Sequence, residues 1–205
     1  MSDNQTVRLS DDELVCFAMR AESRWAGPLP TVDDGDPQEL LRAVSRGERN
    51  LDLRQQRFLT NEGETLSTEQ VADMLAPAMG VLPRILAYIA DESDPLQATG
   101  LSFAVFPTTT TDTRIVTVTL PLGITEVSVL SIKDARVVMA SLVEIGEDQD
   151  SSNAVMFSAS VDNGHGDIRL VTKQGSSSGQ YSTEGVTISE TAPTTSVSEW
   201  LSLHV

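Results

Sequence analysis

Gly175-Ser176-Ser177-Ser178-Gly179 spells the G-x-S-x-G pattern of a nucleophile elbow. That chemistry needs a strand before the serine, a helix after it, and an acid and a histidine further along the chain. Here a strand-like segment follows, and the only later histidine is His204, so Ser177 reads as part of a Ser/Gly hairpin loop over Gly175 to Gly179. Cys16 with His165 would give a thiolate and its base, but Cys16 lies beside Phe17 in a helical pattern, where a lone cysteine acts as a small core hydrophobe. No catalytic residue is assigned, and the chain is read as a non-enzyme.

Asp162-Asn163-Gly164-His165-Gly166-Asp167 brings oxygens and an imidazole together, yet the calcium-loop pattern fails after its first positions. It reads as a polar hairpin tip. Glu144, Glu147, Asp148 and Asp150 run into Ser151-Ser152-Asn153 as a solvated linker. With one cysteine and two histidines, ligands for a transition metal are scarce and an intrachain disulfide is impossible. No glycine-rich phosphate cradle occurs at a strand-to-helix junction, so neither a metal nor a cofactor is expected.

Arg42, Arg46 and Arg49 share one helical face. Fourteen basic against thirty acidic residues nevertheless give a net charge of −16, which repels a phosphate backbone and excludes nucleic acid as the expected partner. The stripe is expected to pair with the protein's own acids. Met79 to Ala90, among the longest apolar stretches, is broken by Pro83 and Arg84, so no membrane insertion is expected. Asp11, Asp12 and Glu13 stand where a signal peptide would be basic and then apolar, which points to the cytoplasm.

The elements that would position these residues are marked by cap chemistry. Ser10 with Glu13, flanked by Leu9 and Leu14, starts a helix from about Asp11 to Ser23 with Leu14, Phe17 and Ala21 inward. Asp36-Pro37 with Glu39 starts a second, which Gly47 should weaken or bend. Ser67 with Gln70 starts a third that Pro77 ends, and Asn61-Glu62-Gly63 reads as a turn before it. After about residue 94 β-branched residues take over. Leu101 to Phe106, Arg114 to Leu120 and Thr125 to Leu130 read as strands before a helix capped by Ser131 and Asp134. Ala154 to Val161, Ile168 to Lys173 and Gly185 to Ser189 repeat the order before a helix capped by Ser196 and Glu199. The expected fold is α+β: a mainly helical part over 1–94, then an antiparallel sheet of two tandem βββα units over 95–205, in one continuous domain.

The segment Glu39-Leu40-Leu41-Arg42-Ala43-Val44-Ser45-Arg46-Gly47, the Asn61-Glu62-Gly63 turn, the helix Thr68 to Leu75 and the strand-like Val81 to Ile89 resemble the EspG family of actinobacterial type VII secretion chaperones. The twelve-to-two excess of arginine over lysine fits a GC-rich source. The resemblance implies a cytosolic adaptor that binds the hydrophobic tip of a PE or PPE substrate, and it places no binding residue on this chain. A second reading rests on the acidic surface: an antitoxin or immunity protein that blocks a basic toxin. Either way the expected partner is a protein, bound through sheet surface that two short helices cannot wholly cover.

Overall fold

The computed structural model describes residues 5–149, 153–162, 165–172, 175–182, 185–189 and 196–205. Strand β1 (Thr6–Ser10) leads into helix α1 (Asp11–Arg20). The Glu13 N–H donates to Ser10 Oγ at 3.2 Å while the Glu13 carboxylate accepts the Ser10 N–H at 2.8 Å, so two end groups of the helix satisfy each other. Helix α2 (Pro37–Leu53) starts at Asp36, which accepts the Gln38 N–H. A small hairpin of β2 (Arg57–Leu59) and β3 (Thr65–Ser67) follows, turning through Gly63 at φ +81, a left-handed conformation suited to glycine. Helix α3 (Thr68–Leu75) carries the Ser67/Gln70 capping box and passes into a short 3-10 turn at Pro77.

Two meanders then follow. The first is β4 (Ile85–Asp91), β5 (Asp94–Phe106), β6 (Thr113–Leu120) and β7 (Ile124–Ser131), ending in α4 (Ile132–Gln149). The second is β8 (Asn153–Asp162), β9 (His165–Thr172), β10 (Gly175–Ser182) and β11 (Gly185–Ser189), ending in α5 (Val197–His204). They join where β4 pairs with β8, giving one nine-stranded antiparallel sheet in the order β1-β7-β6-β5-β4-β8-β9-β10-β11.

The α+β class and the antiparallel sheet stand as read from the sequence. Each unit, however, has four strands before its helix, where three were expected. In the first unit the extra strand is β4, which begins within the strand-like Val81 to Ile89. In the second it is β10, because Gly175 to Gly179 is a strand and forms no loop. Its sequence GSSSGQYS has no apolar alternation, and it is held by pairing with β9 on one side and β11 on the other. Strand β1 carries little local signal of its own, since its partner β7 lies more than a hundred residues away. The acidic run also differs from its reading as linker: α4 continues to Gln149, taking in Glu144, Glu147 and Asp148, while Asp150 lies outside the described residues.

Helices α1 and α3 pack on one face of the sheet, where Leu14, Phe17, Phe58, Val71 and Leu75 meet Val7, Leu9, Phe106, Ile115 and Val127. Helices α4 and α5 pack on the other, where Met139, Leu142, Trp200 and Leu201 meet Ile85, Ile89, Val105, Val116 and Phe157. Burying each such side chain is worth about 1.5–3 kcal/mol.

Gly47 does not bend α2, which runs through it unbroken. A methyl group there would fall 2.7 Å from Cys16 Cβ and 2.9 Å from the Asp12 carbonyl carbon, so glycine allows α1 and α2 to cross in contact.

Candidate functional site

Of the candidates from the sequence, His165 and Asp167 line one cavity and His204 meets Asp167. Ser177 lies mid-strand opposite Leu170, with no helix after it. Cys16 is buried and its thiol donates to Glu48 Oε1 at 3.3 Å. Burial pushes that thiol up to about 12, with the Glu48 carboxylate adding to the shift. His165 lies on β9 and helps line a shallow cavity of about 400 Å³ with Gln180, Tyr181 and Thr187. Asp167 faces His204, Oδ2 to Nε2 at 3.6 Å, and Asn163 and Gly164 fall outside the described residues. Among the described residues no three His, Cys, Asp or Glu side chains converge as metal ligands.

Two of the three stripe arginines, Arg42 and Arg46, pair with the protein's own acids, whereas Arg49 makes no ion pair among the described residues. Arg46 grips Asp12 Oδ1 and Oδ2 at 2.8 Å and Glu39 Oε1 at 2.7 Å, and Arg42 reaches Glu39 Oε2 at 3.6 Å. Arg46 ties α2 to the first turn of α1, a fork geometry that guanidinium suits. Arg54 closes the same interface by pairing with the fully buried Glu13 at 2.7 Å.

What remains is a sheet face. Strand alternation turns Val155, Phe157 and Ala159 of β8 toward α4 and α5, where the Phe157 and Trp200 rings lie 6.0 Å apart. The reverse face therefore carries Ala154, Met156, Ser158 and Ser160 of β8. Register adds Leu86, Tyr88 and Ala90 of β4, Gly166, Ile168 and Leu170 of β9, and Ser177, Gly179 and Tyr181 of β10. None of these residues is charged, in a chain whose net charge is −16.

Ala90, Ala154, Met156 and Ile168 are buried on this face, yet they belong to none of the cores formed with the helices. Their cover comes from within the sheet. The Tyr88 hydroxyl donates toward the Pro95 and Leu96 carbonyls at 3.3 Å each, and Tyr88 stands directly across from Met156. Tyr181 is paired with Gly166, and its ring occupies the space that a side chain at Gly166 would need. Tyrosine suits a surface that is apolar across the ring and wet at its hydroxyl. Leu86, Tyr88, Leu170 and Tyr181 stay partly open to solvent. The fourth strand of this face, β10, runs where the sequence predicts a loop over Gly175 to Gly179.

These positions form a stretch of sheet without charged side chains on an α+β scaffold. No protein-family model matches the chain, and no curated protein does. Among solved structures the chain is similar to the Mycobacterium tuberculosis type VII secretion system chaperone EspG5, determined in complex with a PE25-PPE41 dimer. That similarity has 14% identity and a TM-score of 0.43, over 97% of this chain and 94% of the other. At that score neither the partner nor any binding residue is carried over to this chain. Among the described residues no helix is long and apolar enough to cross a membrane.

Proposed function

We propose that this chain is a non-enzymatic, cytoplasmic protein-binding adaptor that holds an apolar segment of another protein on the reverse face of β4, β8, β9 and β10. The observation that carries the reading is the four-strand face with no charged residue among these positions, on which Tyr88, Leu170 and Tyr181 are half-open while Leu86, at its edge, packs against the core under α1 and α3. In a chain so acidic, strand positions that themselves carry no carboxylate suit apolar burial better than charge steering, with Asp94 standing near the Tyr88 hydroxyl. The class of partner follows the resemblance drawn from the sequence: an EspG-like chaperone would take the hydrophobic tip of a PE or PPE secretion substrate. Affinity purification from native lysate, with the bound protein identified, tests this. Expected is capture that persists as added salt shortens the screening length from about 10 Å to about 3 Å, and that Leu170→Glu abolishes. Capture that collapses with salt and delivers a basic toxin would favour the antitoxin reading instead. Turnover of a small molecule, lost on substituting Ser177 or His165, would overturn both.

A further inference from the structure

Where the C-terminal end of α1 meets α3, the two helices leave a groove of about 330 Å³ between them. Its floor is Phe17, Ala72 and Met79, which pack into the core under α1 and α3. Ala72 and Ala76 stand one turn apart on the same face of α3, and Ala21, the cap of α1, lines the groove from the other helix. Side chains this small leave open the space that larger ones would fill. Phe17 is buried while Ala21 and Ala76 are exposed, so the groove opens to solvent.

Charge along the groove is unbalanced. Arg20 lines it, but the Arg20 guanidinium is taken by Glu48 of α2, Nε to Oε1 at 3.0 Å. Glu69 and Asp73 line it too, again one turn apart on α3, both exposed and neither in an ion pair among the described residues. Glu69 accepts only the neutral Ser67 hydroxyl, at 2.8 Å. An apolar floor thus lies beside two carboxylates that no cation of the described chain answers, which repels a phosphate-bearing ligand and selects a cationic one. On a partner helix lying along α3, basic residues four positions apart stand about 6 Å apart, the same rise that separates Glu69 from Asp73. An apolar side chain on that same face would enter the groove between them. We propose that the α1/α3 groove docks a basic amphipathic helix of another protein, with an apolar anchor against Phe17, Ala72 and Met79 and lysine or arginine at i and i+4 facing Glu69 and Asp73. The groove is a second contact, separate from the strand positions of β4, β8, β9 and β10, and it does not rest on the function proposed for them.

Selection against the full chain from a phage-displayed library of random peptides of about 15 residues, long enough to form a helix, tests it. Expected is enrichment of sequences with lysine or arginine four residues apart and leucine, isoleucine, methionine or phenylalanine on the same face, and saturable binding of the synthetic peptides by fluorescence anisotropy. Asp73→Lys and Ala76→Lys should each weaken that binding about tenfold or more, since a like charge meets the basic pair and a long side chain enters the groove. Both positions are exposed, so both variants should fold as the parent does, checked by circular dichroism. Glu92→Lys, the same change of charge in the turn between β4 and β5, should bind the peptides as the parent does. Asp73→Lys should also leave intact the capture that Leu170→Glu abolishes, so either reading can fail alone. A selection that yields no such peptides, or peptides that bind Asp73→Lys and Ala76→Lys as tightly as the parent, would overturn the docking groove.

Discussion

Replacing Gly47 by alanine sets helix propensity against packing, and the structure says which wins. In an exposed helix the change would stabilise by about 1 kcal/mol. At Gly47 the new methyl would lie 2.7 Å from Cys16 Cβ and 2.9 Å from the Asp12 carbonyl carbon, where carbon atoms prefer about 3.5–4.0 Å. The Asp12 group is backbone, so it cannot rotate aside, and α1 and α2 must separate by about 1 Å. That separation loosens the buried Cys16 and Ala43 and stretches the Arg46 fork on Asp12. Overpacking of this kind costs about 1–3 kcal/mol, and with the strain on the fork the total approaches the upper end. After the gain in propensity, a net loss of about 2 kcal/mol is expected, or about 4–8 °C in Tm for a domain of this size. Urea unfolding followed by circular dichroism measures it as a fall in midpoint at constant slope. Ser45→Ala, on an exposed position of the same helix, should hold or raise the midpoint. A Gly47→Ala protein as stable as the parent would refute the close-crossing argument.

Cys16 should resist thiol reagents in the native protein at pH 8, because burial and then Glu48 push its pKa up to about 12; labelling should appear only with denaturant, and rapid native labelling would show the site to be open. Asp11 is buried, and desolvation raises its pKa even though the Thr31 N–H and hydroxyl donate to it at 2.8 and 2.7 Å. A carboxyl raised in the fold contributes stability that is present in acid and lost as pH rises through its folded value. Asp11→Asn keeps an acceptor for Thr31, so it should match or exceed the parent at pH 7, whereas Asp11→Ala should lose about 1–3 kcal/mol; equal loss in both variants would refute this. His204 stacks on Trp200 with ring centres 4.3 Å apart, and burial lowers its pKa against the opposing pull of Asp167. The unfolded chain then binds the proton first, so this contribution is present above the ordinary histidine range and is lost as pH falls through the folded value. Unfolding midpoints measured downward from pH 8 should fall less steeply in His204→Gln; identical slopes would count against the assignment.

Local chemistry in the sequence determined where helices begin. Ser10 with Glu13, Asp36 with Pro37, Ser67 with Gln70, Ser131 with Asp134 and Ser196 with Glu199 all cap as their spacing requires, since a cap bond spans only two or three residues. The β-branched strands of the second half were legible for the same reason: alternation is a property of neighbours.

Only the tertiary structure decided what depends on distant partners. Glu13 is legible as a cap residue, but its burial against Arg54 requires the end of α2 to arrive there. Gly47 looks like a weak point in a helix until α1 crosses it. Ser176 to Gly179 carry no apolar signal, and they become strand because β9 and β11 offer ladder hydrogen bonds on both sides. The candidate binding face depends on that step, since a face is set by register between strands, and register is a relation between residues far apart in the chain.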